Sequence, residues 1–143
     1  MYRPRTLVAL VVGMLLIASA PAAAGGWKSS SSISLVVMSG SSSLDGASSS
    51  SAHHGDEVTF AVSSSATDKP YVLLNCYQGT TWVYSGQAGF YPSFPSYPNS
   101  LLFRLSSSVW TGGSADCTAR MGSLNPDGTR FRELASTSFH VDG

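Results

Sequence analysis

Residues 114 to 121 read "SADCTARM" and alternate without a fault. Ala115, Cys117, Ala119 and Met121 fall on one side, and Ser114, Asp116, Thr118 and Arg120 on the other. A period of two is that of an extended strand, whose successive side chains point to opposite faces. The same period starts at Glu57. In "EVTFAVS" Val58, Phe60 and Val62 share a face. "YVLLNCYQ" groups Val72, Leu74 and Cys76, with an apolar opposite face as well, the pattern of a central strand. "TTWVYS" sets Trp82 and Tyr84 on one side, and "LLFRL" turns Leu101, Phe103 and Leu105 inward. "FRELASTSFHV" aligns Phe131, Ala135, Thr137, Phe139 and Val141 with Glu133 out of place, which predicts a bulge near Glu133. "NPDG", residues 125–128, marks a turn, and "ISLVVM", 33–38, one earlier strand. About seven half-buried strands and no helical period, in a chain with room for one domain, predict an all-β, antiparallel β-sandwich.

The N-terminus has a different purpose. "MYRPR" carries two arginines, "TLVALVVGMLLIASA" is an apolar run short for a bilayer span, and Ala22 and Ala24 form an A-x-A site. This predicts a signal peptide over 1–24, cleaved after Ala24, and a mature form that does not span a membrane. Residues 25–56 then form a Ser/Gly-rich N-terminal segment holding the first strand, and 57–143 the remainder of the sandwich. Without Arg3 and Arg5, six basic residues face eight acidic ones, a net charge of −2 with histidine neutral. No basic patch remains to attract nucleic acid. The predicted location is secreted or extracytoplasmic.

That compartment favours a disulfide between Cys76 and Cys117, the only two cysteines. They occupy inward positions on two different strands, so the bond is expected inside the core or between adjacent strands. Zinc held by the two cysteines with His53 and His54 is the alternative, weakened by the lack of C-x-x-C spacing.

"GDEVTFAV", "YVLLNCYQ" followed by "TTWVY", "SSSVWTGGSADCTARM" and "STSFHV" together resemble an immunoglobulin-like domain of secreted bacterial proteins, over about residues 33 to 141. The resemblance implies a sandwich architecture and carries no functional residue. The pattern departs from antibody-type domains: Phe60 stands where their first cysteine would be, and Ala115 where a tyrosine precedes the second.

Chemistry-bearing motifs are sparse. There is no G-x-S-x-G elbow, the carboxylates are scattered, and no spacing assembles a Ser-His-Asp group, so no catalytic residue is assigned. No cofactor is expected. "HHGDE", residues 53–57, has the composition of a surface metal site, but adjacent histidines in extended chain point apart and Gly55-Asp56 reads as a turn, so no metal is assigned either. Trp110, ahead of Gly112 and Gly113, reads as a plug for the end of the sandwich rather than an exposed sugar platform.

The remaining candidate is "YPSFPSYPN", residues 91–99. Three X-Pro units favour polyproline II, which would space Tyr91, Phe94 and Tyr97 at roughly 9 Å along one edge. Such a row could grip a cell-surface glycan or protein. Alternatively, its rings cover the core edge as a crossover strap. The function expected is therefore a non-catalytic binding or adhesion module at the cell surface or outside the cell. A structural envelope or assembly protein is the alternative, and a small secreted hydrolase a distant one.

Overall fold

The computed structural model describes residues 29–38 and 51–143. The expected signal peptide, its cleavage site and the serine-rich run 39–50 lie outside the described residues.

The described residues form eight strands: β1 (Ser31–Val37), β2 (Ala52–His53), β3 (Glu57–Ser64), β4 (Tyr71–Gln78), β5 (Thr81–Gly89), β6 (Phe103–Arg104), β7 (Ala115–Leu124) and β8 (Phe131–Asp142). A single 3-10 turn covers Asn99–Leu101, and the described residues contain no α-helix. One sheet has the order β1-β3-β6, the other β2-β8-β7-β4-β5. The first is antiparallel. The second is mixed, because β2 runs parallel to β8, pairing Ala52 with Val141 and His53 with Asp142. This corrects the expectation of about seven strands, all antiparallel. A two-residue strand has no alternation to read, so the eighth strand and its direction leave no mark on the sequence pattern.

The predicted inward faces meet in one core. Ile33, Val58, Phe60 and Phe103 are buried on the three-stranded sheet. Val72, Leu74, Cys76, Ala119, Met121 and Val141 are buried on the five-stranded one. The Phe60 ring meets Phe103 edge-on at 5.5 Å and reaches across to Phe139 at 6.3 Å. Such aromatic pairs add about 0.5–1.5 kcal/mol beyond area burial.

Cys76 and Cys117 are bonded. They are direct register partners on β4 and β7, with Cα atoms 4.0 Å apart and both side chains on the core side. The disulfide thus lies between adjacent strands of one sheet. The two sheets are held together by side-chain packing.

Two bulges set the remaining register. Between Met121 and Gly122 the partner on β8 jumps from Ala135 to Glu133, leaving Leu134 as the extra residue, as the misplaced Glu133 foretold. The second bulge lies between Cys76 and Tyr77, where the partner on β5 jumps from Tyr84 to Trp82. Val83 is its extra residue. It is buried, while Trp82 turns outward with 56% of its surface exposed. Tyr84 packs at 6.5 Å from the Trp110 ring. The sequence put Trp82 and Tyr84 on one face, and the bulge separates them.

Candidate functional site

The aromatic-proline segment forms turns, not polyproline II. The Phe94 amide donates to the Tyr91 carbonyl at 3.0 Å and the Tyr97 amide to the Phe94 carbonyl at 3.1 Å. Each turn has proline in its second position, where the fixed φ is as suitable as in an extended helix. Ser96, third in the second turn, takes φ 64°. The consequence for the rings is large. Instead of standing roughly 9 Å apart, Tyr91 and Phe94 meet edge to face at 5.6 Å. Phe94 also lies 5.9 Å from the Tyr71 ring. Both rings sit on Gly89, where a Cβ would fall 2.6 Å from Tyr91 Cε1 and from Phe94 Cγ. Tyr97 alone is exposed, at 41%. The three predicted residues therefore divide into two packed rings and one free one.

The packed rings cover a particular surface. Along β4, Val72, Leu74 and Cys76 face the core, so Tyr71, Leu73, Asn75 and Tyr77 face the other way. Gly89 is the register partner of Tyr71, and the strap seals this outer face at one end. A cleft of about 290 Å³ opens beside it, bounded by Lys69, Tyr71, Tyr91, Leu124, Asn125 and Gly128. Burial first, and the neighbouring Tyr91 second, push the Tyr71 hydroxyl above its usual pKa.

At the opposite end of the same face the register aligns Trp82, Tyr77, Asp116 and His140 across four strands. Trp82 and Tyr77 are the exposed rings of this row, Tyr77 at 43%. They flank a two-residue turn whose Gly79 takes the left-handed φ of 59° that such hairpins need. The turn is anchored by Gln78, whose side-chain amide donates to the Gly112 carbonyl at 2.9 Å and the Ser114 carbonyl at 3.2 Å. His140 donates from Nδ1 to Asp116 Oδ1 at 2.7 Å, and this bond holds its pKa above 6.5. The next row is Ser85, Asn75, Thr118 and Ser138, with Thr118 and Ser138 hydroxyls 3.0 Å apart. Beyond it come Gln87, Leu73, Arg120 and Ser136, with Arg120 lying 5.9 Å over the Phe131 ring.

Trp110 is 1% exposed and plugs the end of the core, as its place before two glycines suggested. Its indole N–H donates to the Gly113 carbonyl at 3.0 Å and its backbone N–H to Ser107 Oγ at 3.1 Å. The histidines of "HHGDE" diverge. His54 donates from Nε2 to the Trp110 carbonyl at 2.9 Å and packs on that ring at 5.1 Å. His53 faces outward, 3.6 Å from Asp56 and 4.0 Å from Asp142. The segment is a turn, closed by the Asp56 amide on the His53 carbonyl at 3.0 Å. Among the described residues no three of His, Cys, Asp and Glu converge on a point where they could hold a metal ion.

Sequence reasoning missed the Trp82–Tyr77 row. The only trace of it was two large aromatics placed close to either side of a glycine turn, and their shared outward face depends on the bulge. No protein-family model, curated protein or solved structure matches this chain.

Proposed function

We propose that the chain is a secreted, non-catalytic immunoglobulin-like module that binds a target at a cell surface or outside the cell, through the outer face of its five-stranded sheet. The observation that carries this reading is the outward presentation of Trp82 beside Tyr77. A bulge places Val83 in the core and Trp82 in water, on the same face as its partner. Leaving an indole half exposed forgoes roughly half of the 1.5–3 kcal/mol that full burial of a large apolar side chain is worth, and bulges concentrate where a strand re-aims a side chain for use.

The architecture is supported by strand order. β1, β3 and β6 correspond to strands A, B and E of an immunoglobulin sandwich, and β4, β7 and β8 to C, F and G. β5 takes the place of the additional strand beside C in variable-type domains. The disulfide is this chain's own variant, joining the C-like and F-like strands inside one sheet instead of linking the sheets. Export is supported by the formed disulfide.

A non-catalytic role fits the histidines. Both ring nitrogens of His140 face carboxylates, Asp116 at 2.7 Å and Asp142 at 3.8 Å, which leaves neither aimed at a serine hydroxyl. His53 is placed likewise between Asp56 and Asp142, and His54 is tied to the Trp110 carbonyl. A general base needs a free nitrogen within hydrogen-bond reach of its nucleophile.

The second reading, an assembly subunit that adds strands edge to edge, draws on β5. It is the outermost strand of its sheet and contains neither charge nor proline across Thr81–Gly89, the devices that usually guard an edge. Against it, the Ser107 hydroxyl already donates to the Val83 carbonyl at 2.6 Å. The two readings separate in one experiment. Purified protein is incubated with envelope fractions of the producing organism, and its mass in solution is followed by light scattering. Retention that Trp82→Ala abolishes is expected. Retention unaffected by Trp82→Ala, with self-association dependent on β5, would favour the assembly reading.

A further inference from the structure

We propose that the target is a linear, neutral oligosaccharide lying along β4, seated on Trp82 and Tyr77 at one end and reaching the cleft beside Tyr71 and Tyr91 at the other. This rests on the binding-module reading above and specifies its ligand.

The first argument is chemical. A sugar ring presents C–H groups on its faces and hydroxyls around its rim. The electron-rich face of an indole or phenol attracts the former, and uncharged amides and hydroxyls satisfy the latter in both donor and acceptor roles. The outer face supplies these two kinds of group in that order. Trp82 and Tyr77 come first, and the amide- and hydroxyl-bearing row of Ser85, Asn75, Thr118 and Ser138 lies directly beside them.

The second argument is charge. Two charges of the face are engaged, Asp116 by His140 at 2.7 Å and Arg120 over the Phe131 ring at 5.9 Å, while Glu133, in the row of Tyr71 and Gly122, adds an exposed carboxylate. Lys69 is the one cation among the residues that line the cleft. A nucleic acid or polyanion would need a row of unpaired cations.

The third argument is shape. Protein partners of ordinary affinity bury about 800 Å² a side around an apolar centre. Here the large exposed or half-exposed rings stand at the two ends of the face and its middle is polar, the reverse of that pattern. From Tyr71 to Tyr77 the strand rises about 20 Å, at about 3.3 Å per residue. A face of that length, aromatic at both ends, suits an oligomer better than a monosaccharide. It is built on strands of one sheet, so it is rigid before the ligand arrives.

The test is titration of the protein with cellohexaose, mannohexaose and maltohexaose, followed by tryptophan fluorescence and calorimetry. Among the described residues Trp82 is the exposed tryptophan and Trp110 the buried one, and Trp27, which lies outside them, is replaced (Trp27→Phe) so that it does not contribute to the signal. At least one hexasaccharide is expected to bind and to shift the emission. Trp82→Ala should weaken that binding tenfold or more, Trp82→Phe should recover part of the loss, and Tyr91→Ala should weaken the hexasaccharide more than the matching disaccharide. Melting curves establish that each variant is folded. Hexasaccharide binding that survives Trp82→Ala overturns the proposal. So does envelope retention that depends on Trp82 but is insensitive to all three sugars and is removed by protease treatment of the envelope; in that case the target is a protein and the binding-module reading stands. Absence of both envelope retention and sugar binding removes the two together.

Discussion

Gly89 tests how the aromatic strap is seated, because its steric and entropic effects have opposite signs. Its φ is not in the left-handed region, so alanine can adopt its backbone without strain. By restricting the unfolded chain, Gly89→Ala would then stabilise the protein by about 0.4–1 kcal/mol. Against this, the new methyl would lie 2.6 Å from Tyr91 Cε1 and from Phe94 Cγ. Ordinary carbon contacts are about 3.5–4.0 Å, so both rings must retreat by about 1 Å or more. They are wedged against each other and Tyr71, at centroid distances of 5.6 and 5.9 Å, and cannot move separately. Overpacking of this kind costs about 1–3 kcal/mol. The net expectation is a loss of roughly 0–2.6 kcal/mol, read in urea denaturation as a lower midpoint at unchanged slope. Phe94→Ala alone should also destabilise. In the double variant the methyl has room, so the combined loss should fall short of the sum by at least about 0.5 kcal/mol. If Gly89→Ala is stabilising, or the two changes simply add, the rings do not rest on Gly89 and the strap is not packed as described.

Two further outcomes follow from the same structure. Replacing Cys76 and Cys117 together by alanine removes a bond spanning 41 residues of sequence separation, which should cost about 4 kcal/mol in the chain-entropy estimate; a melting temperature equal to that of the parent protein would contradict it. His140, held by Asp116 and secondarily attracted by Asp142, should titrate above 6.5 in NMR, and Asp116→Asn should bring it down. Because the folded pKa is the raised one, the pair's contribution is complete below the unfolded value and is lost as pH rises through the folded value. Titration of His140 at or below 6.5 would mean that the 2.7 Å bond is not formed in solution.

What could be read from sequence follows from where apolar side chains had to go. β7 announced itself because every second residue of Ala115–Met121 is buried, and one residue off phase would have turned all of them to water. The bulge on β8 was legible for the same reason: the apolar run of that strand slips phase at Glu133, and only an extra residue restores it. Trp110 could be read as a plug because two glycines and a core cysteine follow it closely. The disulfide was legible from cysteine count and phase, although its placement within a sheet awaited the pairing of β4 with β7.

The candidate site was hidden because each deciding feature lies outside the local pattern. In "TTWVYS", Trp82 and Tyr84 fit an ordinary strand as well as the real one does. The bulge arises because the hairpin fixes Gln78 opposite Thr81 at one end while Cys76 and Tyr84 pair at the other, with one residue too many between them on β5. A tight turn thus decides which aromatic reaches water. The strap was misread by the same route. Proline's φ suits polyproline II and turns alike, so the local sequence left the choice open, and the bare backbone of Gly89, brought opposite Tyr71 by strand pairing, supplies the seat on which Tyr91 and Phe94 close. Both ends of the outer face are therefore products of register. That is why exposure of Trp82 and burial of Phe94 have to be argued from the pairing of β4 with β5, and why substitutions that disturb this one hairpin should alter the two ends of the face together.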